Sequence, residues 1–393
     1  MQDTYIVASV RTAVGKAPRG TLRHMRPDDM GAAVVRGAIA RLPSLQPDQI
    51  EDVIMGCAMP EAEQGYNLGR VVAHRAGLPS SVPGMTVNRL CSSGLQTIAM
   101  AHQAISFGQA DVMVAGGVES MSLIPMGGDR WSPNPAMMAE TPQVYTSMGL
   151  TAENVAKQFE ISRADQDVFA LRSHQNAIKA IKTGNFTDEI IPLTVTDTVY
   201  QNGDVHTQTT QFQVDEGYRS DTSLEALALL PPVFRRGGSV TAGNSSQMSD
   251  GAAATILMSA RQVQELNLTP MARLLGFAVA GVPPQIMGIG PVEAVPKVLK
   301  QVGLSLDDIG LIELNEAFAA QSLAVIRKLR LNEDIINVNG GAIALGHPLG
   351  CSGAKLTATL LHEMQRRHIR YGMVTMCVGG GMGAAGVFEN LLL

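Results

Sequence analysis

The sequence is poor in several residue classes, and each shortage excludes a class of protein. Aromatic residues make up only 4% of the 393 positions and charged residues 17%, whereas 45% are hydrophobic. A disordered chain needs low hydrophobicity and high net charge, so this composition excludes one. Four cysteines are too few to staple a chain of this length. We therefore expect a large apolar core, organised as one composite unit or as two to three domains.

The sequence also lacks an excess of basic residues and any long apolar run. Lys and Arg total 30 against 35 Asp and Glu, which gives a formal net charge of -5. Nucleic-acid binding depends on neutralising phosphates, so we do not expect it here. No apolar stretch approaches the roughly 18 residues of a membrane span, and residues 1–5 show no secretory signal. These features predict a cytoplasmic protein with free thiols.

What the sequence does contain is an alternation of short apolar runs and helical patterns. Tyr5–Val10, Asp52–Met55 and Val112–Ala115 are predicted strands, the last ending at two glycines. Met30–Arg41 and Ser92–Phe107 are predicted helices. Alternation of this kind is typical of α/β proteins with buried sheets.

The middle of the chain, from about residue 120 to 245, is more polar and contains closely spaced prolines. It holds one long helix candidate, Thr151–Lys182. Capping signals at Thr151 and Ser162 predict a helix start at the first and a break near the second. We interpret this segment as an inserted loop domain or lid.

The first and last thirds of the chain share a pattern that indicates an internal repeat. Asn88 is followed by Ser93, a helical pattern and a strand ending in glycines, and Asn339 is followed in the same way by Ser352. The spacing is five positions in the first copy and thirteen in the second, so the second copy carries eight extra residues. A repeat predicts two similar structural halves. The extra residues include His347 and are a candidate functional element, because a structural repeat does not need them.

Two cysteines lie where a ligand could reach them. Cys91 lies between a predicted strand and the start of a predicted helix, where free N–H groups and the helix dipole favour a nucleophilic thiolate. Cys377 lies at the end of a predicted strand, Met373–Val378, and ligands of α/β folds gather at such ends. Each has the same alternative interpretation, a small buried residue that only packs.

Three further positions could support a reaction. His347 lies in a turn between a glycine and a proline, where it is either a general base or a ring that stabilises a rigid loop. Asn315 follows the strand-like Leu311–Leu314 and either orients a polar group or caps the next helix. Gly379–Gly381 could bring bare N–H groups to a ligand as an oxyanion hole.

One glycine pattern is misleading. Gly381–Gly386 matches the G-x-G-x-x-G pattern of dinucleotide-binding folds and follows a strand. Such folds also need a helix, another strand and an acidic residue about 20 positions further on. The sequence stops at Leu393, so we expect no nicotinamide or flavin site there.

Taken together, these segments resemble the thiolase family. The matching segments, in the family's order, are Asn88–Gly94, Gly116–Ser122, Asn315–Ala319, Asn337–Gly353 and Cys377–Gly383. The resemblance runs from Ile6–Thr12 to the last strand, which is essentially the whole chain. The resemblance implies a five-layer αβαβα fold built from two similar halves with an inserted loop domain. The halves would be residues 1–119 with 246–270, and 271–393, and the insertion would be residues 120–245. The family also implies a homodimer or homotetramer.

The resemblance implies a reaction as well, the thiolytic cleavage of 3-ketoacyl-CoA by coenzyme A through an acyl-cysteine. Coenzyme A would be a substrate, and no metal or bound cofactor is implied. Cys91 would be the nucleophile, His347 would activate it, and Cys377 would be a second acid and base. Asn315 would hold a water that stabilises the enolate oxygen together with His347. The N–H groups of Cys91 and Gly379 would stabilise the tetrahedral intermediate.

The resemblance carries over substrate contacts and partners too. The implied coenzyme A and acyl contacts are Arg219, Ser246, Met148, Met287 and Phe318. Partners would be coenzyme A, acyl-CoA thioesters and other enzymes of fatty-acid β-oxidation.

Two branches of the family compete. Residues 243–251, residues 287–291 and Cys351 resemble degradative 3-ketoacyl-CoA thiolases. The acetoacetyl-specific biosynthetic type has a histidine before the methionine at 148, and here Ser147 stands there. We favour the degradation of longer 3-ketoacyl-CoAs, reversible as a Claisen condensation. The alternatives are a biosynthetic acetoacetyl-CoA thiolase, a 3-oxoadipyl-CoA-type thiolase and, from another class, a non-catalytic acyl-CoA- or lipid-binding relative.

Overall fold

The computed structural model describes residues 2–201 and 204–393, which form twelve strands and twelve α-helices. The strands are β1 (Thr4–Arg11), β2 (Gly15–Lys16), β3 (Asp52–Gly56), β4 (Gly84–Val87), β5 (Val112–Ser120), β6 (Leu193–Gln201), β7 (Asp204–Phe212), β8 (Ser249–Ser259), β9 (Ala272–Gly281), β10 (Leu311–Leu314), β11 (Tyr371–Val378) and β12 (Met382–Asn390). The helices are α1 (Pro27–Ala40), α2 (Leu68–Arg75), α3 (Ser93–Ser106), α4 (Pro135–Glu140), α5 (Met148–Gln158), α6 (Arg163–Thr183), α7 (Leu224–Ala228), α8 (Ala260–Glu265), α9 (Gly290–Val302), α10 (Ala319–Leu329), α11 (Ala342–Leu345) and α12 (Leu349–Arg367). In this part of the chain, no helix combines the length and the apolar character needed to cross a bilayer.

The strand order confirms the internal repeat. The front half has the order β4-β3-β5-β8-β1, and the rear half has the order β10-β11-β12-β9. In both halves a parallel pair, β3 with β5 or β10 with β11, continues into antiparallel strands. Ile336 makes a parallel bridge to Ile312 on β10 and so takes the place that β4 has beside β3. The halves meet where Ile6 of β1 pairs with Ala272 of β9.

Three large buried apolar clusters fill the four spaces between five layers, because the middle cluster packs on both sides of the central helices. α1 and α2 cover one face of the front sheet, where Val34 and Val72 are buried. α3 and α12 lie between the two sheets, where Ile98 and Leu360 pack together with both. α9 and α10 cover the outer face of the rear sheet, with Val298 in the third cluster. The order α-β-α-β-α agrees with the predicted architecture.

The inserted segment shares its core with both halves. α5 and α6 contribute Val155 and Phe169 to the cluster of the rear half, and β6 contributes Leu193 to that of the front half. The segment also includes Glu189 and Asp215, which pair with the fully buried Arg11 of β1 at 2.5 Å and 2.7 Å. Removing one partner of such a group would leave an uncompensated buried charge. The segment is therefore anchored to both halves. Residues 120–245 remain its predicted bounds.

Two local predictions are wrong and one is confirmed. α5 begins at Met148, so Thr151 lies inside the helix, where its hydroxyl donates to the Met148 carbonyl at 2.6 Å instead of capping. Ser162 caps α6 as predicted, accepting the N–H of Asp165. β5 does not end at its glycine pair but runs through it to Ser120. A side chain on Gly117 would lie 2.1 Å from the carbonyl oxygen of Gly350, so the glycine permits the close approach of α12.

Candidate active site

Cys91 lies in a short 3-10 turn, Leu90–Ser92, between β4 and α3. Leu90 has a φ of 44°, in the left-handed region that a bulky residue adopts only when its surroundings hold it there. Two hydrogen bonds hold it. The Leu90 N–H donates to Asn88 Oδ1 at 2.8 Å, and the Ser93 hydroxyl donates to the Leu90 carbonyl at 2.7 Å. The turn places Cys91 just before α3, as the sequence predicted.

The Cys91 thiol is a protonated group in an apolar setting. Burial raises the pKa of Cys91 to about 11, and the hydrogen bonds that Sγ accepts from the N–H groups of Gly379 and Cys91 offset only part of this effect. The expectation that the helix start favours a resting thiolate is therefore wrong, because the residue is only 7% exposed. A neutral thiol needs a base before it can act as a nucleophile.

His347 lies in the turn between α11 and α12, within the extra residues of the second repeat copy. Its N–H lies 3.1 Å from Ser249 Oγ, which fixes the backbone of the turn. On the ring, Nδ1 contacts Ser352 Oγ and Nε2 lies 3.3 Å from Nδ2 of Asn315. The histidine is thus held through its backbone and through both ring nitrogens.

The imidazole of His347 is neutral and available as a proton acceptor. Burial and, to a smaller extent, the nearby ammonium of Lys355 together lower the pKa of His347 to about 3. At neutral pH one ring nitrogen therefore carries a lone pair. Asn315 does not cap a helix, because α10 begins only at Ala319. Of the two interpretations of Asn315, orientation of a polar group fits its contact with the ring.

Cys377 lies near the end of β11 and is fully buried. Burial and the neighbouring Cys91 sulfur raise the pKa of Cys377 well above its ordinary value. Two residues further on, Gly379 closes the space between the halves, since a side chain there would lie 2.9 Å from Leu90 Cδ1 and 3.6 Å from Met148 Sδ. The structure therefore brings a sulfur and a backbone N–H of the rear half to the Cys91 turn of the front half.

A cavity of about 700 Å³ opens beside these groups. His347 lines it, together with the four predicted contact residues Arg219, Ser246, Met148 and Phe318. Met287 is not part of the wall but packs in one buried cluster with Phe318 and Cys377.

Cys91 does not itself line the cavity but lies directly behind its wall. It packs with Ala17, Met121 and Leu349, and all three line the cavity wall. At the mouth, Arg219 is exposed and its guanidinium lies 3.0 Å from Asp221. The cavity thus runs from an apolar floor beside the thiol to a charged, solvent-exposed rim.

Glu119 is a member of the site that the sequence did not predict. Its buried carboxylate accepts the N–H groups of Ala58 at 2.7 Å, Met59 at 3.2 Å and Gly350 at 2.8 Å. Asn88 in turn donates to the Ala58 carbonyl at 3.0 Å. Glu119 therefore links the support of the Cys91 turn to the first residues of α12. It lies inside a motif that the sequence singled out, but no local signal names its partners.

The described residues indicate neither a metal site nor a dinucleotide-binding site. Among residues 2–201 and 204–393, no three His, Cys, Asp or Glu side chains are grouped as metal ligands. Gly383 and Gly386 of the misleading glycine pattern lie within the antiparallel strand β12, not at the start of a helix. A phosphate-binding turn needs free N–H groups at such a start.

Comparisons with known proteins agree with this geometry. Residues 4–261 match the family model described as "Thiolase, N-terminal domain", and residues 268–390 match "Thiolase, C-terminal domain". The chain belongs to the thiolase family. A 3-ketoacyl-CoA thiolase of Bacillus subtilis is 55% identical over 99% of this chain and 100% of its own length. A 3-ketoacyl-CoA thiolase of Idiomarina loihiensis is 45% identical over 100% of both chains.

Solved thiolase structures share the fold over the full length. Human mitochondrial 3-ketoacyl-CoA thiolase aligns with a TM-score of 0.89 at 40% identity, covering 99% of each chain. The Bacillus anthracis acetyl-CoA acetyltransferase aligns with a TM-score of 0.90 at 41% identity, covering 100% of this chain and 99% of its own. The predicted thiolase fold is confirmed.

Proposed function

We propose that this thiolase is a degradative 3-ketoacyl-CoA thiolase, an acyltransferase that uses coenzyme A to cleave 3-ketoacyl-CoA into acetyl-CoA and a shortened acyl-CoA. One observation carries the proposal. A neutral thiol, Cys91, and a neutral imidazole, His347, lie beside one cavity, and a second thiol, Cys377, lies next to the first. Coenzyme A is a substrate in this reaction, and no resident cofactor takes part.

The first half-reaction acylates Cys91. Nε2 of His347 takes the thiol proton while Sγ attacks the 3-keto carbon of the substrate. The oxygen of the tetrahedral intermediate is stabilised by the N–H groups of Cys91 and Gly379, which already point at Sγ. The bond between carbons 2 and 3 then breaks, and its electron pair becomes the enolate of acetyl-CoA. Cys377 protonates the enolate carbon.

The second half-reaction releases the acyl group. The thiol of a new coenzyme A loses its proton to the enzyme and attacks the carbonyl carbon of the acyl-cysteine, and Cys91 leaves as the thiolate and is reprotonated. During carbon–carbon cleavage, Asn315 and His347 stabilise the enolate oxygen, with a water held by Asn315. The contact between the Asn315 amide and the His347 ring at 3.3 Å supports this joint role.

The cavity supports acyl-CoA as the substrate class. Its wall near Cys91 is apolar, with Met121, Met148 and Phe318, which suits an acyl chain. Arg219 at the mouth offers a positive charge to the nucleotide, and Ser246 offers a hydroxyl to the pantetheine arm. Met287 supports Phe318 from behind. We place the reaction in cytoplasmic fatty-acid β-oxidation, beside the enzymes that make 3-ketoacyl-CoA.

The exposed edge of the front sheet supports a homodimer or homotetramer. β4 ends the strand order of the front sheet, so the outer backbone groups of this strand have no ladder partner among the described residues. Its apolar side chains Met85 and Val87 stay partly exposed. Unpaired strand edges of this kind pair readily with a second chain.

Replacing the nucleophile tests the proposal. Cys91→Ala should abolish thiolysis and leave no acyl-enzyme detectable by mass spectrometry, whereas the wild type should gain the mass of one acyl group. Cys57→Ala is the matched control, because Cys57 is also a buried free thiol but belongs to the core cluster of the front half and not to the cluster that packs against the cavity wall. Full activity of the Cys91→Ala variant would overturn the proposal. Binding of acyl-CoA without turnover by the wild type would favour a non-catalytic relative instead.

A biosynthetic acetoacetyl-CoA thiolase is the second candidate, supported by the structural likeness to the Bacillus anthracis acetyl-CoA acetyltransferase. The exposed Ser147 at the cavity wall favours longer substrates, because it leaves more room than a histidine. Measuring kcat/KM for 3-ketoacyl-CoAs from four to twelve carbons separates the two. A maximum at acetoacetyl-CoA would identify the biosynthetic branch.

A further inference from the structure

Each half of the molecule places a serine hydroxyl against the turn that carries a reacting group. In the front half, Ser93 Oγ accepts the N–H of Arg89 at 2.9 Å and donates to the Leu90 carbonyl at 2.7 Å. In the rear half, the repeat-related Ser352 donates to the Pro348 carbonyl at 3.0 Å and contacts a ring nitrogen of His347. The front serine thus holds backbone only, whereas the rear serine also holds a side chain.

We infer that Ser352 is a positioning residue that holds His347 in the tautomer with the proton on Nδ1, which leaves Nε2 as the atom that accepts the proton of Cys91. This inference rests on the proposed function and deepens it. It names the proton position on the resting base and the residue that sets it.

The hydrogen-bond inventory around Ser352 carries the argument. A serine hydroxyl has one hydrogen and two acceptor sites. The Pro348 oxygen also accepts the N–H groups of Cys351 and Ser352, and because a carbonyl oxygen can only accept, its contact with Ser352 Oγ is a hydrogen bond when the single hydroxyl hydrogen points there. The second contact of Oγ is with Nδ1 of His347, and it is a hydrogen bond only if Nδ1 carries the hydrogen. The ring is neutral, so Nε2 is then unprotonated.

The other side of the ring is satisfied by the same tautomer. Nε2 lies 3.3 Å from the Asn315 amide nitrogen, which is a donor, so an unprotonated Nε2 accepts there. The opposite tautomer would set two N–H donors against each other at Asn315, and it would set the Nδ1 lone pair against a lone pair of Ser352 Oγ. His347 is only 5% exposed, so water cannot easily compensate such contacts.

The direct test is the tautomer itself. Protein labelled with ¹⁵N-histidine contains eight imidazoles, and a His347→Gln variant assigns the signal of His347. Long-range ¹H–¹⁵N spectra at pH 7 should show a protonated Nδ1 and an unprotonated Nε2 for this ring. Ser352→Ala should give a mixture of tautomers or the opposite one. A protonated Nε2 in the wild type, or an unchanged tautomer in Ser352→Ala, would overturn the inference.

Kinetics give a second readout. Ser352→Ala should lower kcat about 10- to 100-fold, the usual effect of removing a group that orients a functional histidine. KM for coenzyme A should stay unchanged, because Ser352 does not line the cavity. Ser352→Thr keeps the hydroxyl and should recover most of the rate. Equal losses in kcat for the alanine and threonine variants would contradict a role of the hydroxyl.

Thr357→Val is the matched control on the same helix. Thr357 is buried, and its hydroxyl donates to the Gly353 carbonyl at 2.8 Å, but it has no contact with His347. It should leave the tautomer unchanged, and a changed tautomer in this variant would argue against a specific role of Ser352. If Ser352→Ala does not fold, the wild-type spectrum and the threonine variant still decide. Failure of the wild type to cleave 3-ketoacyl-CoA would refute the proposed function, whereas the spectra test the tautomer separately.

Discussion

The Cys91 turn and the His347 turn occupy related places in two similar halves, yet they are built differently. The front turn is short, and the side chains of Asn88 and Ser93 hold only its backbone, at the left-handed Leu90. The rear turn follows α11 within eight extra residues and is held through the ring of His347 as well. A sulfur needs only to be aimed, but an imidazole must also present one particular nitrogen. The longer connection brings the side-chain contacts that this requires.

The two turns also differ in the charge beneath them. Three residues after Ser352 stands the buried Lys355, whereas three residues after Ser93 stands the neutral Gln96. The lysine lowers the pKa of His347, but no comparable cation offsets the effect of burial on Cys91. The front half therefore keeps its thiol protonated, and the rear half supplies the base that removes the proton. Because the nucleophile lies in one half and its base in the other, neither turn alone can form the acyl-enzyme.

Of the changes considered, replacing the base His347 should lower activity most. In His347→Ala at pH 7, only about one Cys91 in ten thousand would be a thiolate, given a pKa of about 11. We expect acylation to slow by about 10²- to 10⁴-fold, the usual contribution of a general base. The loss should shrink about tenfold for each pH unit between 7 and 10, because the thiolate fraction rises, while the wild-type rate stays nearly flat.

Single-turnover measurements of the acyl-enzyme check this expectation. Cys91→Ala is the control and should stay inactive at every pH. If His347→Ala shows no recovery at high pH, then Cys91 does not depend on His347 for its deprotonation, and the comparison between the turns fails.

Breaking the link between the turns should have an intermediate effect. One oxygen of Glu119 accepts from Met59 and from the Gln64 amide, and the other accepts from Ala58 and Gly350. Glu119→Gln replaces one of these acceptors by a donor and leaves two buried N–H donors unpaired. We expect the free energy of unfolding to fall by about 1–3 kcal/mol, and kcat to fall as well because both turns lose support.

Urea unfolding and steady-state kinetics measure the two effects of Glu119→Gln. Glu153→Gln is a suitable comparison, because this carboxylate also accepts N–H groups, from Ser239 and Val240, in the inserted segment. It should lose stability with a smaller change in kcat. Equal kcat losses in both variants would show that Glu119 acts through general stability and not through the turns.

Glu119 also shows where prediction from the sequence stops. Cys91, His347 and Asn315 could be proposed because each has a local signature, a strand end or a Gly-Pro turn. The partner of Glu119, Gly350, lies 231 positions away, and nothing near either residue points to the other. The predicted thiolate of Cys91 is wrong for the same reason. The helix start is visible in the sequence, but the burial that outweighs it comes from residues of both halves.

For the fold, too, some features could be predicted from the sequence and others could not. The repeat could be predicted from the matching order of an asparagine, a serine, a helical pattern and a strand ending in glycines, although the spacing between asparagine and serine differs between the copies. The start of α5 could not, because Thr151 and Glu153 imitate a capping signal. Glu153 instead accepts the N–H groups of Ser239 and Val240, a distant loop that only the tertiary structure brings near. Local preference was overruled there by burial.

The smallest expected effect on activity concerns a carboxyl group near Lys355, the charge that lies only beneath the rear turn. Glu313 of β10 is buried, and one of its oxygens, Oε1, has no hydrogen-bond partner among the described residues. Burial raises the pKa of Glu313, and although Lys355 offsets part of this rise the net value is about 8. Residues 53–56 of β3 in the front half are apolar or glycine. The front half therefore has no carboxyl group at the place on β3 that corresponds to Glu313 on β10.

The sign of the pH dependence of stability follows from the raised pKa of Glu313. Between the ordinary carboxyl pKa and pH 8, folded Glu313 keeps a proton that the unfolded chain has lost. Its contribution to stability is therefore full at low pH and disappears as the pH rises through 8, with a slope of at most about 1.4 kcal/mol per pH unit. Glu313→Gln cannot titrate. The free energy of unfolding of the wild type, measured relative to this variant by urea at pH 5.5, 6.5 and 7.5 and one protein concentration, should fall with rising pH. Parallel pH dependences would place Glu313 in an ion pair with Lys355, and the rear turn would then rest on a fixed charge pair instead of on a group that titrates.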